Sequence, residues 1–577
     1  MGIRIANCSG FFGDRRTAAR EMVEGGPIDV LTGDYLAELT MAILARHRMR
    51  SPDAGFVPTF LDHLGDVLVT CVDRGIRVVT NAGGLDPDGL AGGVVGLAEH
   101  LGVTVRVATV TGDDMRSVAS ELGHVVTGEL MADRGVTPLT ANAYLGGWGI
   151  ARALADGADV VVTGRVADAS LVVGPAAWRF GWDRHDWDRL AGAVVAGHVI
   201  ECGAQATGGN FSFFTEVPGL ARVGFPIAEI EEDGSAVITK HPGTGGMVTV
   251  ETVTAQLLYE VGGPRYLNPD VVARLDTVEL TDDGPDRVRI SGVAGEPAPS
   301  TTKVAATALA GFRNAVTFVI PGLDVEAKAA VALEALWTRV GAPDTFGSVD
   351  VRLMRTDHPD PGSHEASFAM LRVTVADPDA ARVGRRFSNA AVELALATYP
   401  GFLLTEPPGG ESPQVVYWPA LVPQPASVVT MGGVAAEVAA TAPSDADRRV
   451  DPLPAPPPPR DVVDEPTVRG PLGWLLGTRS GDKGGDANLG VWARTEAGFE
   501  WMERFLTVDR LRSLVPETTG LEVERHGFPR LRAVNFVIAG YLGEGAASST
   551  LSDPQAKALG EYLRARVVDL PARLVGS

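Results

Sequence analysis

Five short runs of apolar, mostly β-branched residues punctuate the N-terminal third of the chain. They are "IRIANCS" (3–9), "IDVLTGD" (28–34), "IRVVTNAGG" (76–84), "VTVRVATVTGDD" (103–114) and "ADVVVTGRVAD" (158–168). Helix-like stretches such as "DYLAELTMAILARHRM" and "AGGVVGLAEHLG" lie between them. A strand apolar on both faces must be covered on both faces. Alternation with helices therefore points to a parallel sheet sandwiched by helices, a Rossmann-like α/β domain over residues 1–265. Residues 266–440 change character. "TVELTDDGPDRVRISGV" reads as a hairpin, "EAKAAVALEALWTRVG" as a helix, and "SVDVRLMRT" and "SFAMLRVTVAD" as strands. That order predicts an α+β domain with an antiparallel sheet. A proline-rich stretch at 441–469 should be an extended spacer, because proline fixes φ and removes backbone donors. It leaves 470–577 as a small α+β, ferredoxin-like domain.

Composition narrows the function classes. A net charge of −22 argues against nucleic acid, whose binding needs a basic face that neutralises phosphates. Three scattered cysteines, Cys8, Cys71 and Cys202, make neither a disulfide framework nor a zinc cluster. No apolar run approaches the ~18 residues a membrane span needs, and no basic-then-apolar leader is evident. The expected location is the cytoplasm, with no membrane partner.

All five runs end alike. Their tails are Ser9-Gly10 with Gly13-Asp14, then Gly33-Asp34, Asn81-Ala82-Gly83-Gly84, Gly112-Asp113-Asp114, and Gly164-Arg165 followed by Asp168. Open parallel sheets bind ligands beyond the carboxyl ends of their strands, where glycine allows close approach and short polar residues offer donors. The same residues are also what ordinary βα turns and helix caps use. Five such tails together point to a pocket at this edge. The first tail lacks G-x-G-x-x-G and the chain lacks a Walker motif, so neither NAD, FAD nor a P-loop nucleotide is expected, and no other cofactor or metal.

In "AGHVIECGAQATGGNF", His198, Glu201, Cys202 and Gln205 would share one helical face. His198 and Glu201 could be a base and its orienter, two metal ligands lacking an evident third, or a satisfied buried pair. Cys202 reads as a small core residue. "TKHPGTGG" is either a rim loop or a plain turn. "GTRSGDKGGDANLG" (477–490) is sharper, since only five of the fifty Lys and Arg residues are lysine and Lys483 is one of them. Its glycines could form an anion nest flanked by Arg479, Ser480, Asp482 and Lys483, or it could be a tight hairpin.

These stretches, with "SGFFGD", "GDYLAELTM", "TNAGGLDP", "TGRVADASLVVGPA", "SGVAGEPAPSTTKV" and "NFVIAGYLGEGAASS", resemble the acyclic terpene utilisation family along nearly the whole chain. The resemblance implies a cytoplasmic role beside the carboxylases, hydratases and lyases that degrade branched or isoprenoid acids. It does not fix a chemical step. The expectation is an enzyme acting on an acyl-CoA thioester, with coenzyme A as part of the substrate. Asp34, Asp168, His198 and Glu201 would transfer protons. Asn81 and the Gly83 and Gly84 amides would face an oxyanion, with Ser9 and Gly10 lining the pocket. Arg165, Arg479, Ser480, Asp482 and Lys483 would hold a phosphate or carboxylate. A homo-oligomer is expected. Two alternatives stand beside this one: a scaffold for a pathway carboxylase or lyase, and a metal-dependent hydrolase of a small anion.

Overall fold

The computed structural model describes residues 2–51, 54–441 and 465–575, so most of the expected spacer at 441–469 lies outside the described residues. The five runs form β1 (Ile3–Asn7), β2 (Val30–Gly33), β3 (Arg77–Thr80), β4 (Val107–Thr111) and, after β5 (Thr137–Ala143), β6 (Val160–Thr163). They pair in parallel in the order β1-β2-β3-β6-β4. Helices cover both faces, as near-continuous apolar strands require: Val160, Val161 and Val162 are fully buried.

The sheet is wider than its parallel centre. The antiparallel strands β7 (Pro226–Ile230) and β8 (Ala236–Lys240) extend it beyond β1, followed by the hairpin Glu279–Asp282/Val288–Ser291. At the other edge the hairpin Ser427–Met431/Val434–Val438 pairs with β4. Strands from both sides of residue 265 thus share one sheet.

The strand Thr301–Pro321 organises an antiparallel sheet with Phe368–Asp377, Ser348–Met354 and Ser412–Pro423, and β5 leaves the parallel region to join it. Beneath the main sheet, the helix Trp187–Glu201 is buried along its whole second half. Its small residues make this possible: a Cβ on Gly192 would sit 2.0 Å from the Gly234 carbonyl oxygen.

The C-terminal α+β domain has a four-stranded sheet in the order Leu476–Lys483, Asp486–Ala493, Ala533–Ile538, Val523–Phe528. It is bonded onto the N-terminal body. Trp492 stacks on Phe211 with centroids 6.0 Å apart, and Ser212 Oγ both donates to the Thr478 carbonyl and accepts from the Thr478 N–H. Among the described residues no helix is long and apolar enough to cross a membrane.

Candidate functional site

Three carboxylates converge where the parallel strands end. Asp34 follows β2 directly. Its N–H donates to Ser9 O (3.0 Å), and its Oδ1 accepts from Asn81 Nδ2 (2.6 Å) and the Leu36 N–H (3.2 Å). Asn81 is fixed in turn by the Tyr35 N–H, which donates to its Oδ1 (2.8 Å). From the tail of β6, Arg165 Nη1 donates to Asp168 Oδ1 (2.5 Å) and Leu36 O, while Nη2 donates to Tyr144 OH (2.8 Å). Glu201 comes from the end of the helix Trp187–Glu201, where Asn7 Nδ2 donates to the carbonyls of Ile200 (2.7 Å) and Glu201 (2.9 Å). One carboxylate oxygen from each of Asp34, Asp168 and Glu201 lies within 4.8 Å of the other two. Asp168 is the member that meets solvent, with 28% of its side chain exposed.

Crowding sets the protonation of this cluster. Burial, and then the charge of Asp168, pushes both Asp34 and Glu201 well above the usual carboxylate range. Burial lowers His198 to about 4, so its ring is neutral. His198 Nδ1 lies 3.0 Å from Glu201 Oε1, and Glu201 Oε2 is buried without a hydrogen-bond partner among the described residues. His198 itself is fully buried, its ring packed against Tyr266 with centroids 5.0 Å apart. The three carboxylates, without His198, are also the donor set that would suit a hard cation.

A second layer of charge faces the cluster. Lys303 Nζ donates to Glu38 Oε1 (3.0 Å), which also accepts from Tyr144 OH (3.2 Å). Burial opposes ionisation of Glu38, but Lys303 and Arg165 hold it down at about 2. From the C-terminal domain, Lys483 Nζ donates to Glu260 O (2.9 Å). Burial, then the neighbouring Lys303, lowers the Lys483 ammonium, and its charge reaches both His198 and Glu201. Glu260 is raised to about 7 by burial and by Asp482, and Asp482 to about 6 by burial and by Glu38. Glu260 also holds a left-handed backbone (φ 57°), a conformation unusual for a residue with a side chain.

Several sequence expectations change here. "GTRSGDKGGDANLG" is a hairpin rather than an open nest: Arg479 to Lys483 are strand residues, and within the tight turn only Gly484 is left-handed. Ser480 Oγ is spent inside its own domain, accepting from the Gly560 N–H (2.9 Å). Asn81 is committed to Asp34, and the Gly84 N–H donates to Asn81 O (3.1 Å), so this turn positions Asp34 rather than facing an oxyanion. Gly83 is there for packing, since a Cβ would lie 2.5 Å from Thr163 O. Arg165 is committed to Asp168 and Tyr144. Cys202 and Gln205 lie past the helix end. "TKHPGTGG" is a plain turn whose His241 bonds Met22 O. Burial raises the thiols of Cys8, Cys71 and Cys202, which disfavours a thiolate nucleophile. Glu38, Tyr144 and Glu260 carried no signal of their own in the sequence, because their partners are remote along the chain.

Gly10 has a packing role. A Cβ there would lie 2.6 Å from the Cys202 carbonyl carbon. Gly10→Ala should cost ~1–3 kcal/mol, because neither backbone can yield freely. Urea denaturation measures it, and an unchanged midpoint would show that the approach is not tight.

The family model for the acyclic terpene utilisation family protein AtuA matches residues 3–431, and that for the AtuA ferredoxin-like domain matches residues 471–569. Comparison with curated proteins gives no match.

Proposed function

The chain belongs to the acyclic terpene utilisation family, and from that premise we propose that it is a cytoplasmic enzyme of branched or isoprenoid acid breakdown acting on an acyl-CoA thioester by hydration, lysis or hydrolysis. The observation that carries the reading is the convergence of Asp34, Asp168 and Glu201 from three separate elements, with the charge of Lys483, from another domain, felt at Glu201. All three reactions move a proton at or beside the thioester carbonyl while negative charge develops on its oxygen. Asp168, held by Arg165 and open to solvent, is the proton-transfer group that meets substrate. Glu201, positioned by His198, and Asp34, positioned by Asn81, flank it. Lys483 supplies positive charge for the developing oxyanion. The thioester itself is carried by the family's setting, not by the geometry.

Incubation of the protein with a panel of branched acyl-CoA esters, followed by mass spectrometry, tests this. Asp168→Asn should lower turnover ~10²- to 10⁴-fold with no loss of thermal stability. A wild-type protein inert to every ester, yet co-purifying with a carboxylase or lyase, would establish the scaffold role instead. A second reading, a metal-dependent hydrolase of a small anion, is favoured by the three carboxylate oxygens within 4.8 Å of one another. Elemental analysis showing one divalent ion per chain would select it.

A further inference from the structure

Arg479 is a buried cation without a hydrogen-bond partner among the described residues. It is only 8% exposed, and its Nε and Nη2 are both buried with no hydrogen-bond acceptor among the described residues. One face of the guanidinium is covered, 4.2 Å from the Tyr259 ring centroid. The strand is built around this side chain. Residues two apart share a face, and both such neighbours of Arg479 are glycines, Gly477 and Gly481. The residue opposite it on the paired strand is Gly490. A Cβ at Gly481 would lie 2.3 Å from the Tyr259 ring, and one at Gly490 would lie 2.5 Å from Leu258 Cβ. The N-terminal body therefore presses onto the strand at its glycines, and Arg479 projects alone between them.

The other cations near the cluster are engaged. Arg165 is bonded to Asp168 and Tyr144, Lys303 to Glu38, and Lys483 to Glu260 O. Arg479 has no such bond, and burying an unpaired guanidinium is costly unless something satisfies it. Its Nε and Nη2 edge presents two parallel donors, spaced for two oxygens of one anion. Its charge is felt at the Cys202 thiol, beside Glu201 in the sequence.

We propose that Arg479 is an anion site in which Nε and Nη2 together take two oxygens of a carboxylate or phosphate, at the seam between the C-terminal domain and the N-terminal body. That the anion belongs to the substrate rests on the reading given above; the binding of an anion does not.

Thermal shift with sodium acetate and with inorganic phosphate, each against sodium chloride at matched ionic strength, tests the site without any turnover. The wild-type protein should show a saturable rise in Tm with at least one of the two anions. Arg479→Met should abolish that rise, and Arg479→Lys, which keeps the charge but not the fork, should weaken binding at least ~tenfold. A response to acetate alone assigns a carboxylate, and a response to phosphate alone assigns a phosphate. The site is overturned if wild type shows no saturable response to either anion, or if Arg479→Met responds as wild type does. Should Arg479→Met fail to fold by circular dichroism, Arg479→Lys decides the matter: wild-type affinity in that variant also overturns the fork. The catalytic reading fails separately, in an inert wild-type protein that still binds the anion through Arg479.

Discussion

Lys483→Met should lower turnover ~10²-fold or more while leaving the fold intact, the size of loss expected when a preorganised charge is removed from a developing oxyanion. The side chain crosses from the C-terminal hairpin to the N-terminal body, donating to Glu260 O at 2.9 Å, and its charge reaches Glu201 and His198. Its hydrogen bond is to the N-terminal body rather than to the C-terminal domain. The Lys483 side chain is solvent-exposed, so the lowering of its pKa should shift stability little, and the variant should keep the wild-type urea midpoint. Steady-state turnover and urea midpoints measure both effects. Undiminished turnover in Lys483→Met would remove the C-terminal domain from the chemistry.

Asn488→Ala should cost ~3–5 kcal/mol and abolish activity with the carboxylate cluster untouched in sequence. Asn488 is fully buried. Its Oδ1 accepts from the Glu260 N–H (2.8 Å), and its Nδ2 donates to Leu258 O (2.7 Å) and Asn535 Oδ1 (2.7 Å). Asn535 Nδ2 then donates to the carbonyls of Val261 (2.9 Å) and Gly262 (2.8 Å). Two side chains of the C-terminal sheet thus satisfy four backbone groups of one N-terminal segment, the segment that also receives Lys483. Truncation removes the Asn488 partner of one donor and two acceptors, and the cost of unpaired buried groups is what makes the loss large. Asn535→Ala should follow the same direction. Urea denaturation and limited proteolysis near the spacer are the measurements. A variant with the wild-type midpoint and wild-type protection would mean that docking rests on the Trp492–Phe211 packing instead.

The parallel centre of the fold was legible because each of β1, β2, β3, β4 and β6 is a short local run whose burial on both faces is written in its own residues. β5 was not, since "TPLTANA" becomes a strand only by pairing with residues 304–309, far along the chain. β7, β8 and the hairpin Ser427–Met431/Val434–Val438 escaped for the same reason; the hairpin Glu279–Asp282/Val288–Ser291 was legible as a hairpin, but not its place in the main sheet. Of the site, Asp34 and Asp168 were readable from their places just after strands, and His198 with Glu201 from their spacing of three on a helix. The oxyanion role expected of Asn81 and Gly84 failed because donors that look free in a sequence are taken by neighbours in space.

Local pattern alone determined the five parallel strands and the helices between them, where the parallel sheet's carboxyl edge falls, and which acids stand on it, because these depend on residues within one or two turns of each other. Only the tertiary structure decided that those acids crowd within 4.8 Å, that Lys483 crosses from one domain to the Glu260 carbonyl of the other, and that Arg479 is left without a hydrogen-bond partner among the described residues. Hydrogen bonds and burial are settled by which distant backbones and side chains come to lie side by side, and no spacing along the chain encodes that directly.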